Sequence, residues 1–392
     1  MRTILTTEEL AAFCETARRQ PFVTVDTEFL RERTYYAQLC LVQVALPPAG
    51  SRDDDGGEAV LIDPIGGDLD LSPLWSLMAD EGVVKVFHAA RQDVEIFWHE
   101  GGVIPKPLFD TQVAAMVAGF GDQVGYETLV RKLAREQIDK GSRFTDWSRR
   151  PLSEAQKSYA IADVTHLRAI YEHLEADLGR TGRHAWVDEE LAVLTDPETY
   201  ISRPEDAWQR LRTRGASPKV MAVARELAAF RERHAQEADV PRNRVFKDDA
   251  LMELAATRPR SLEDLGRSRL VLREARKGAI AEGILEAVRR GAEAKPPAGP
   301  RRDDRMQVNP ALADLLRVLL KAKSEELGVA AKLIATSSDL DRIAAGERDV
   351  HALEGWRRSA FGNDALRLCD GELALTASGE AVRVVELPRG RG

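Results

Sequence analysis

Cysteine is scarce. Cys14, Cys40 and Cys369 are the three in the chain, far apart and with no Cys-x-x-Cys pair, which excludes a disulfide framework and gives no support to a zinc or dithiol site. They read as ordinary buried thiols. Long apolar runs are missing as well: the stretch from Leu39 to Pro48 is broken by Gln43 and falls well short of the ~20 residues that cross a bilayer, so no transmembrane helix is expected. The opening Met1-Arg-Thr-Ile-Leu-Thr-Thr-Glu-Glu-Leu places acids where a secretory signal needs an unbroken apolar stretch, and a cytoplasmic protein is expected. An excess of positive charge is lacking too. The 56 Lys and Arg stand against 64 Asp and Glu, a net charge of -8, which argues against a chain that coats nucleic acid nonspecifically. There is no Gly-x-x-x-x-Gly-Lys phosphate loop of the helicase kind, and no polymerase motif.

What is present is a soluble globular composition, 44% hydrophobic and 31% charged, over 392 residues, enough for two or three folding units. Positive charge is concentrated locally: ten Lys or Arg against four acids between Arg210 and Lys247, and seven against three between Arg131 and Arg150. Such clusters suit phosphate contacts or solvated helix faces. In the first two hundred residues, Phe22–Phe29, Ala37–Leu46 and Glu58–Ile62 read as strands, with no intervening helix long enough for a crossover, so they predict an antiparallel start. Leu74–Ala79 as helix, Val83–Phe87 as buried strand and Ala89–His99 as helix then follow a βαβ rhythm, making the sheet mixed. Asp110 resembles an N-cap, and Ser153–Leu178 spaces its apolar residues as one long helix.

Beyond about residue 200 the strand signals cease and the rest reads as all α. A Pro, Gly and charge-rich stretch from Arg289 to Arg305 divides it as a semi-rigid linker. Setting Val240 against Val329 aligns Glu237 with Glu326, Leu251 with Leu340, and Ala255 and Ala256 with Ala344 and Ala345, the signature of a degenerate internal repeat. The expected division is 1–200, 201–292, a linker over 293–309, and 310–392.

The chemistry lies in the acids. In Val23-Thr-Val-Asp-Thr-Glu-Phe, side-chain alternation puts Asp26 and Glu28 on one face of a strand, roughly 7 Å apart along it. A solvent-exposed strand face would alternate polar residues well before and after that pair, whereas Phe22, Val23, Val25 and Phe29 mark a buried central strand. Asp93 sits on a helix that begins where an apolar strand ends. Tyr159 and Asp163, at i and i+4, share one helix face. Separately the last two are ordinary surface features. Together, acids from one strand and two helices can converge on two divalent cations, and four carboxylates without cations would repel. Hard oxygen ligands suit Mg²⁺ or Mn²⁺, and a pair of such ions about 4 Å apart serves phosphodiester hydrolysis.

Val25-Asp-Thr-Glu-Phe, His88-Ala-Ala-Arg-Gln-Asp93 and Tyr159-Ala-Ile-Ala-Asp163-Val resemble the three exonuclease motifs of the DEDD superfamily. Arg31-Glu-Arg-Thr-Tyr-Tyr-Ala-Gln-Leu-Cys, Phe109-Asp-Thr-Gln and Asp146-Trp-Ser-Arg-Arg-Pro-Leu-Ser are similar to the bacterial ribonuclease D family within it, and the resemblance spans essentially the whole chain. It implies an α/β RNase H-like exonuclease domain with a mixed sheet, followed by two all-α HRDC-like helical domains. The first of these is clearest at Asp239-Val-Pro-Arg-Asn-Arg-Val; the second has Ala330-Ala-Lys-Leu-Ile-Ala instead.

The resemblance further implies 3′ to 5′ removal of 5′-mononucleotides from RNA, with transfer RNA precursors as the expected substrate and a monomer as the expected state. Carried over motif by motif, Asp26, Glu28, Asp93 and Asp163 would hold two divalent ions, Mg or Mn, with Asp26 as the bridge. Tyr159 assigns the tyrosine subclass and would orient the attacking water; the histidine subclass would place its His where Ser158 stands, His166 faces elsewhere, and His88 reads as structural. Two other functions compete: a 3′ to 5′ DNA exonuclease, and a nucleic-acid-binding protein whose nuclease domain is inactive. The complete acid set argues against the second.

Overall fold

The computed structural model describes residues 1–48, 57–138, 141, 145–213, 215–295, 307–379 and 381–388. The chain begins with β1 (Arg2–Ile4), α1 (Thr7–Ala17), β2 (Phe22–Leu30), β3 (Gln38–Ala45), β4 (Ala59–Ile62) and α2 (Ser72–Met78). There follow β5 (Val84–Phe87), α3 (Arg91–Gly101), β6 (Leu108–Asp110), α4 (Thr111–Val117), α5 (Tyr126–Leu129), α6 (Glu154–Thr181) and α7 (His184–Thr195). The six strands lie in the order β1-β4-β3-β2-β5-β6. β2, β3 and β4 form an antiparallel meander, while β5 and β6 run parallel to β2 and β1 runs parallel to β4. The mixed sheet is therefore the one the sequence predicts, with the three-residue strands β1 and β6 added at its two edges.

β2 is central and covered on both sides. Val23 and Val25 are fully buried in a core that includes Val94 and Phe97 of α3. On the opposite face Phe22 packs with Leu167, Ile170 and Leu174 of α6, and the buried Thr24 hydroxyl donates to the Val164 carbonyl at 2.7 Å. Period-two alternation then directs Asp26 and Glu28 to the α6 side and Thr27 to the α3 side.

The first helical module comprises α8 (Pro218–Glu237), α9 (Arg242–Val245), α10 (Asp248–Thr257), α11 (Leu262–Gly266) and α12 (Gly278–Glu293) around its own core. The second comprises α13 (Pro310–Leu327), α14 (Ala331–Ile334), α15 (Ser337–Ala344), α16 (Gly355–Arg357) and α17 (Asn363–Cys369), then β7 (Leu373–Ser378) and β8 (Ala381–Glu386). Those two strands correct the all-α expectation: they pair as an antiparallel hairpin. The Leu- and Ala-rich β7 has helix-like composition, and the stripe it turns to the core, Leu373 and Leu375, is too short to mark it as a strand. Of the expected linker, residues 296–306 lie outside the described residues.

The offset of 89 that aligns Val240 with Val329 also carries α9 (Arg242–Val245) onto α14 (Ala331–Ile334). It likewise matches the left-handed residue ahead of each, Asp239 at φ 46° and Gly328 at φ 62°. Both turns dock on the nuclease domain. Asp239 accepts hydrogen bonds from the amides of Tyr35 and Tyr36 at 3.0 and 3.1 Å, and the Tyr35 hydroxyl donates to buried Glu232 of α8. Gly328 meets Gly119 beyond α4, Arg183 donates to the carbonyls of Val117 and Leu327 at 3.1 and 2.6 Å, and Trp186 stacks on Trp356 with centroids 4.4 Å apart. The second module's core is continuous with that of the α6 face, whereas the first module keeps a core of its own against which Tyr35 packs.

A Cβ placed on Gly119, at φ +86°, would stand 2.0 Å from the Gly328 carbonyl oxygen. Backbone cannot rotate away as a side chain can. Gly119→Ala is therefore expected to cost about 2 to 4 kcal/mol in a urea unfolding titration. Gly182→Ala, at φ +68° with open space around it, should cost only about 1 kcal/mol. Equal losses would contradict the close approach.

Candidate active site

Asp26 and Glu28 leave β2 where its pairing with β3 slips: Glu28 faces Leu41 but Phe29 faces Leu39, so Cys40 is passed over. Such an irregularity re-aims side chains at the end of a strand. Asp163 comes from the middle of α6, which Thr24 ties to the same strand. The three carboxylates each bring an oxygen to within 4.8 Å of the others. Asp93, in the first turn of α3, stands outside that tight group and accepts a 2.5 Å hydrogen bond from the Thr27 hydroxyl. A cavity of about 430 Å³ joins them, with Asp26, Asp93, Tyr159 and Asp163 in its wall beside Thr27, His88 and Tyr126. Glu28 belongs to the carboxylate group without lining that wall. His166 does not line it either.

The electrostatics follow from this crowding. Asp26 is held well above the usual carboxylate range, first by burial and then by the negative charges of Asp93, Asp163 and Glu28. Burial pushes Asp93 up to about 7, although the Thr27 hydrogen bond pulls the other way. Tyr159 hydrogen-bonds Asp163, its i+4 neighbour, and its ionisation is pushed far above the usual phenol range by burial and then by the charges of Asp163 and Glu28. It stays a neutral hydroxyl that can donate and accept but cannot serve as a base at ordinary pH. A cluster in which three acids raise a fourth is the donor set a divalent cation relieves, and its ligands are all hard oxygens.

Several supporting residues lie outside the sequence reading. Tyr126 on α5 donates its hydroxyl to the Asp163 carbonyl at 2.6 Å, which anchors α6 at its acid. Asp110, expected as an N-cap, does more than cap α4: besides Gln112 it accepts from the amides of Ala89 and Ala90 at 3.0 and 2.8 Å. Ala89 holds a left-handed φ of 59°, so Asp110 fixes the strained turn from which α3 and Asp93 start. His88, in that turn, is bonded through Nδ1 to the Thr111 hydroxyl at 3.0 Å. Because that hydroxyl donates to the Phe87 carbonyl, Nδ1 carries the proton. The expected structural role for His88 fits this bond, while the ring also lines the cavity.

Tyr159 rests on Trp147, with ring centroids 6.2 Å apart. The Trp147 loop is pinned by Arg150, whose guanidinium grips Asp63 through two 2.6 Å bonds and donates to the carbonyls of Trp147 and Cys40, both at 2.7 Å. Breaking so well covered an ion pair typically costs about 3–5 kcal/mol. Arg150 is thus spent inward, while residues 139–140 and 142–144 of the same basic stretch lie outside the described residues. No described helix is long and apolar enough to cross a membrane.

Residues 1–179 match the family model for a 3′-5′ exonuclease, and residues 220–288 match that for an HRDC domain. The ribonuclease D of Jannaschia sp. (strain CCS1) is 63% identical over 388 residues, covering 98% of this chain and 99% of that one. The ribonuclease D of Granulibacter bethesdensis is 51% identical over 390 residues, covering 98% and 96%. Among solved structures, Escherichia coli RNase D, described as an exoribonuclease involved in structured RNA processing, superposes with a TM-score of 0.78 at 29% identity, covering 94% of this chain and 98% of that one. With near-complete coverage at such identity, and with a nuclease domain and an HRDC domain in this order, the chain belongs to the ribonuclease D family.

Proposed function

We propose that the chain is a metal-dependent 3′ to 5′ exoribonuclease that releases 5′-mononucleotides one at a time, working on structured RNA ends such as those of transfer RNA precursors. The observation that carries this reading is the meeting of Asp26, Glu28 and Asp163 beside Tyr159 and Asp93 at one cavity. Asp26, Glu28, Asp93 and Asp163 would hold two divalent ions, Mg or Mn. Bound there, the ions supply positive charge to the attacking and leaving oxygens of the phosphodiester.

The protein's own side chains supply position. Tyr159, kept neutral by burial and by the acids around it, orients the attacking water through its hydroxyl. Thr27 holds Asp93, Tyr126 holds the backbone of Asp163, and Asp110 holds the turn that starts α3. Each protects a geometry in which a 1 Å error is costly. The offset of 89 supports reading the second module as a diverged HRDC domain, and the divisions 1–200, 201–292 and 310–392, a monomeric state and a cytoplasmic location complete the proposal.

End-labelled RNA and DNA of matched sequence, incubated with and without Mg²⁺, test the reading directly. Stepwise shortening of the RNA from its 3′ end, dependent on metal, is expected. Preference for DNA would select the DNA exonuclease, and binding without hydrolysis would select an inactive domain. Asp26→Asn and Asp163→Asn are each expected to abolish hydrolysis with the fold intact; wild-type turnover by either variant in saturating Mg²⁺ would remove the two-metal reading.

Tyr159→Phe removes only the hydroxyl, so the Trp147 contact survives. Single-turnover cleavage is expected to slow by roughly 10² to 10⁴ with metal affinity little changed. A rate within a few-fold of wild type would assign Tyr159 to packing alone.

A further inference from the structure

A second and larger cavity, about 910 Å³, lies between the nuclease domain and the first helical module. The connection between β2 and β3 supplies Arg31 and Tyr36, α3 supplies Arg91, Trp98 and His99, and α9 supplies Arg242. Arg210 and Arg231 complete five arginines in the wall, against Glu95 and Asp248 there and Glu232 behind it. Positive charge is in excess. Arg210 and Arg242 share the single buried Glu232, at 3.3 and 3.6 Å, so that carboxylate cannot neutralise both. The Arg31–Glu95 pair, 2.7 Å apart and partly exposed, is of the kind whose net worth is about 0–1 kcal/mol and which an incoming anion can exchange.

Arg91 is the informative residue. It occupies the first position of the 11-residue α3, where the helix dipole disfavours a cation. It is exposed, and no ion pair holds it among the described residues. A cation set against its own helix, without a compensating partner, is the kind of local conflict that marks a site for an external anion.

The cavity also has faces for bases. The Tyr36 and His99 rings lie 4.5 Å apart, and Trp98 stands one residue from His99 on the same helix. Aromatic faces interleaved with arginines make a platform for single-stranded nucleic acid: guanidinium groups follow the phosphates and rings take the bases irrespective of sequence.

The cleft adjoins the carboxylates. Arg91 lines the cleft while the next two residues, Gln92 and Asp93, line the acidic cavity. On β2 and just beyond it, Phe29 lines the acidic cavity and Arg31 the cleft. The first turn of α3 and the end of β2 are therefore a wall common to both. Resting on the exoribonuclease reading, we propose that this cleft seats the single-stranded RNA immediately upstream of the 3′-terminal nucleotide, with phosphates against Arg91 and Arg242 and bases against Tyr36, Trp98 and His99.

The test compares wild type with Arg91→Ala and Arg91→Lys in the full chain. Anisotropy of a labelled single-stranded RNA of about 12 nucleotides in EDTA, at about 50 to 200 mM salt, measures binding without turnover. Arg91→Ala is expected to weaken binding by up to about tenfold and to reduce the slope of log affinity against log salt by about 0.7, the value for one phosphate contact on a single strand. Arg91→Lys, which keeps the charge, should restore most of the slope. In Mg²⁺, the KM for the same RNA should rise relative to the KM for a dinucleotide, which is too short to enter the cleft while its end is being cut. Unchanged affinity and slope, or equal losses on both substrates, would overturn the proposal. If wild type fails to hydrolyse RNA but Arg91→Ala still weakens binding with the lower slope, the cleft stands and the exoribonuclease reading falls.

Discussion

Mutual repulsion among carboxylates at the end of β2 is the constraint around which the nuclease domain is organised. Asp26, Glu28 and Asp163 are closer together than unscreened charges tolerate, and Asp93 adds its field from α3. Left alone, such a group either takes up protons or drives its elements apart. The fold prevents the second outcome by making every supporting element rigid. β2 is central in the sheet, Thr24 bonds it to α6, Thr27 restrains Asp93, and Asp110 holds the left-handed Ala89 at the head of α3. The energy stored in this way is available to a cation, whose binding relieves repulsion that folding has already imposed.

The helical modules extend the same logic outward. Each docks through the turn that follows its first helix, Asp239 in one and Gly328 in the other, but the contacts differ in kind. Gly328 lies against Gly119 at a contact with no room for a side chain, and the second module's core runs on into the α6 face. Asp239 instead caps two amides in the connection that leaves the acid-bearing strand, and a large basic cleft remains beside it. The second module packs against α4 and α7, through Met116, Gly119, Trp186 and Glu190; the first leaves an opening next to the helix that carries Asp93.

The legible parts of this arrangement were those governed by short-range periodicity. Asp26 and Glu28 declare themselves because two acids on one face of an otherwise apolar strand break a period-two pattern, and Tyr159 with Asp163 follow from helical spacing. Asp93 carries a weaker signal, its place on a helix that begins where an apolar strand ends, and it counted only in combination with the other acids. Thr27, Tyr126 and Asp63 were not readable as parts of the site: their roles depend on partners 66, 37 and 87 residues away, to which neither periodicity nor composition points. The β7–β8 hairpin was missed for a different reason, since only Leu373, Leu375 and Val384 turn to the core, a stripe too short to make the strands visible. The repeat was legible as an offset of 89, but the use of its left-handed turn for docking was not, because Asp239 and Gly328 reach the same backbone conformation by different chemistry.

The stability of the metal-free protein against pH tests the central claim most directly. Asp26 and Asp93 have folded pKa values above their ordinary 3.8, Asp93 rising to about 7, so the folded state holds protons that the unfolded state has released. Their contribution is fully present below about pH 4; that of Asp93 is lost as pH rises through about 7, and that of Asp26 as pH rises through its own raised value. Thermal unfolding in EDTA should therefore show a domain that weakens across this window, and Mg²⁺ should raise the melting temperature more at pH 8 than at pH 5. Asp26→Asn should flatten the pH dependence and remove most of the Mg²⁺ effect. A melting temperature in EDTA that does not fall over this window, or a Mg²⁺ shift that survives Asp26→Asn undiminished, would contradict the account.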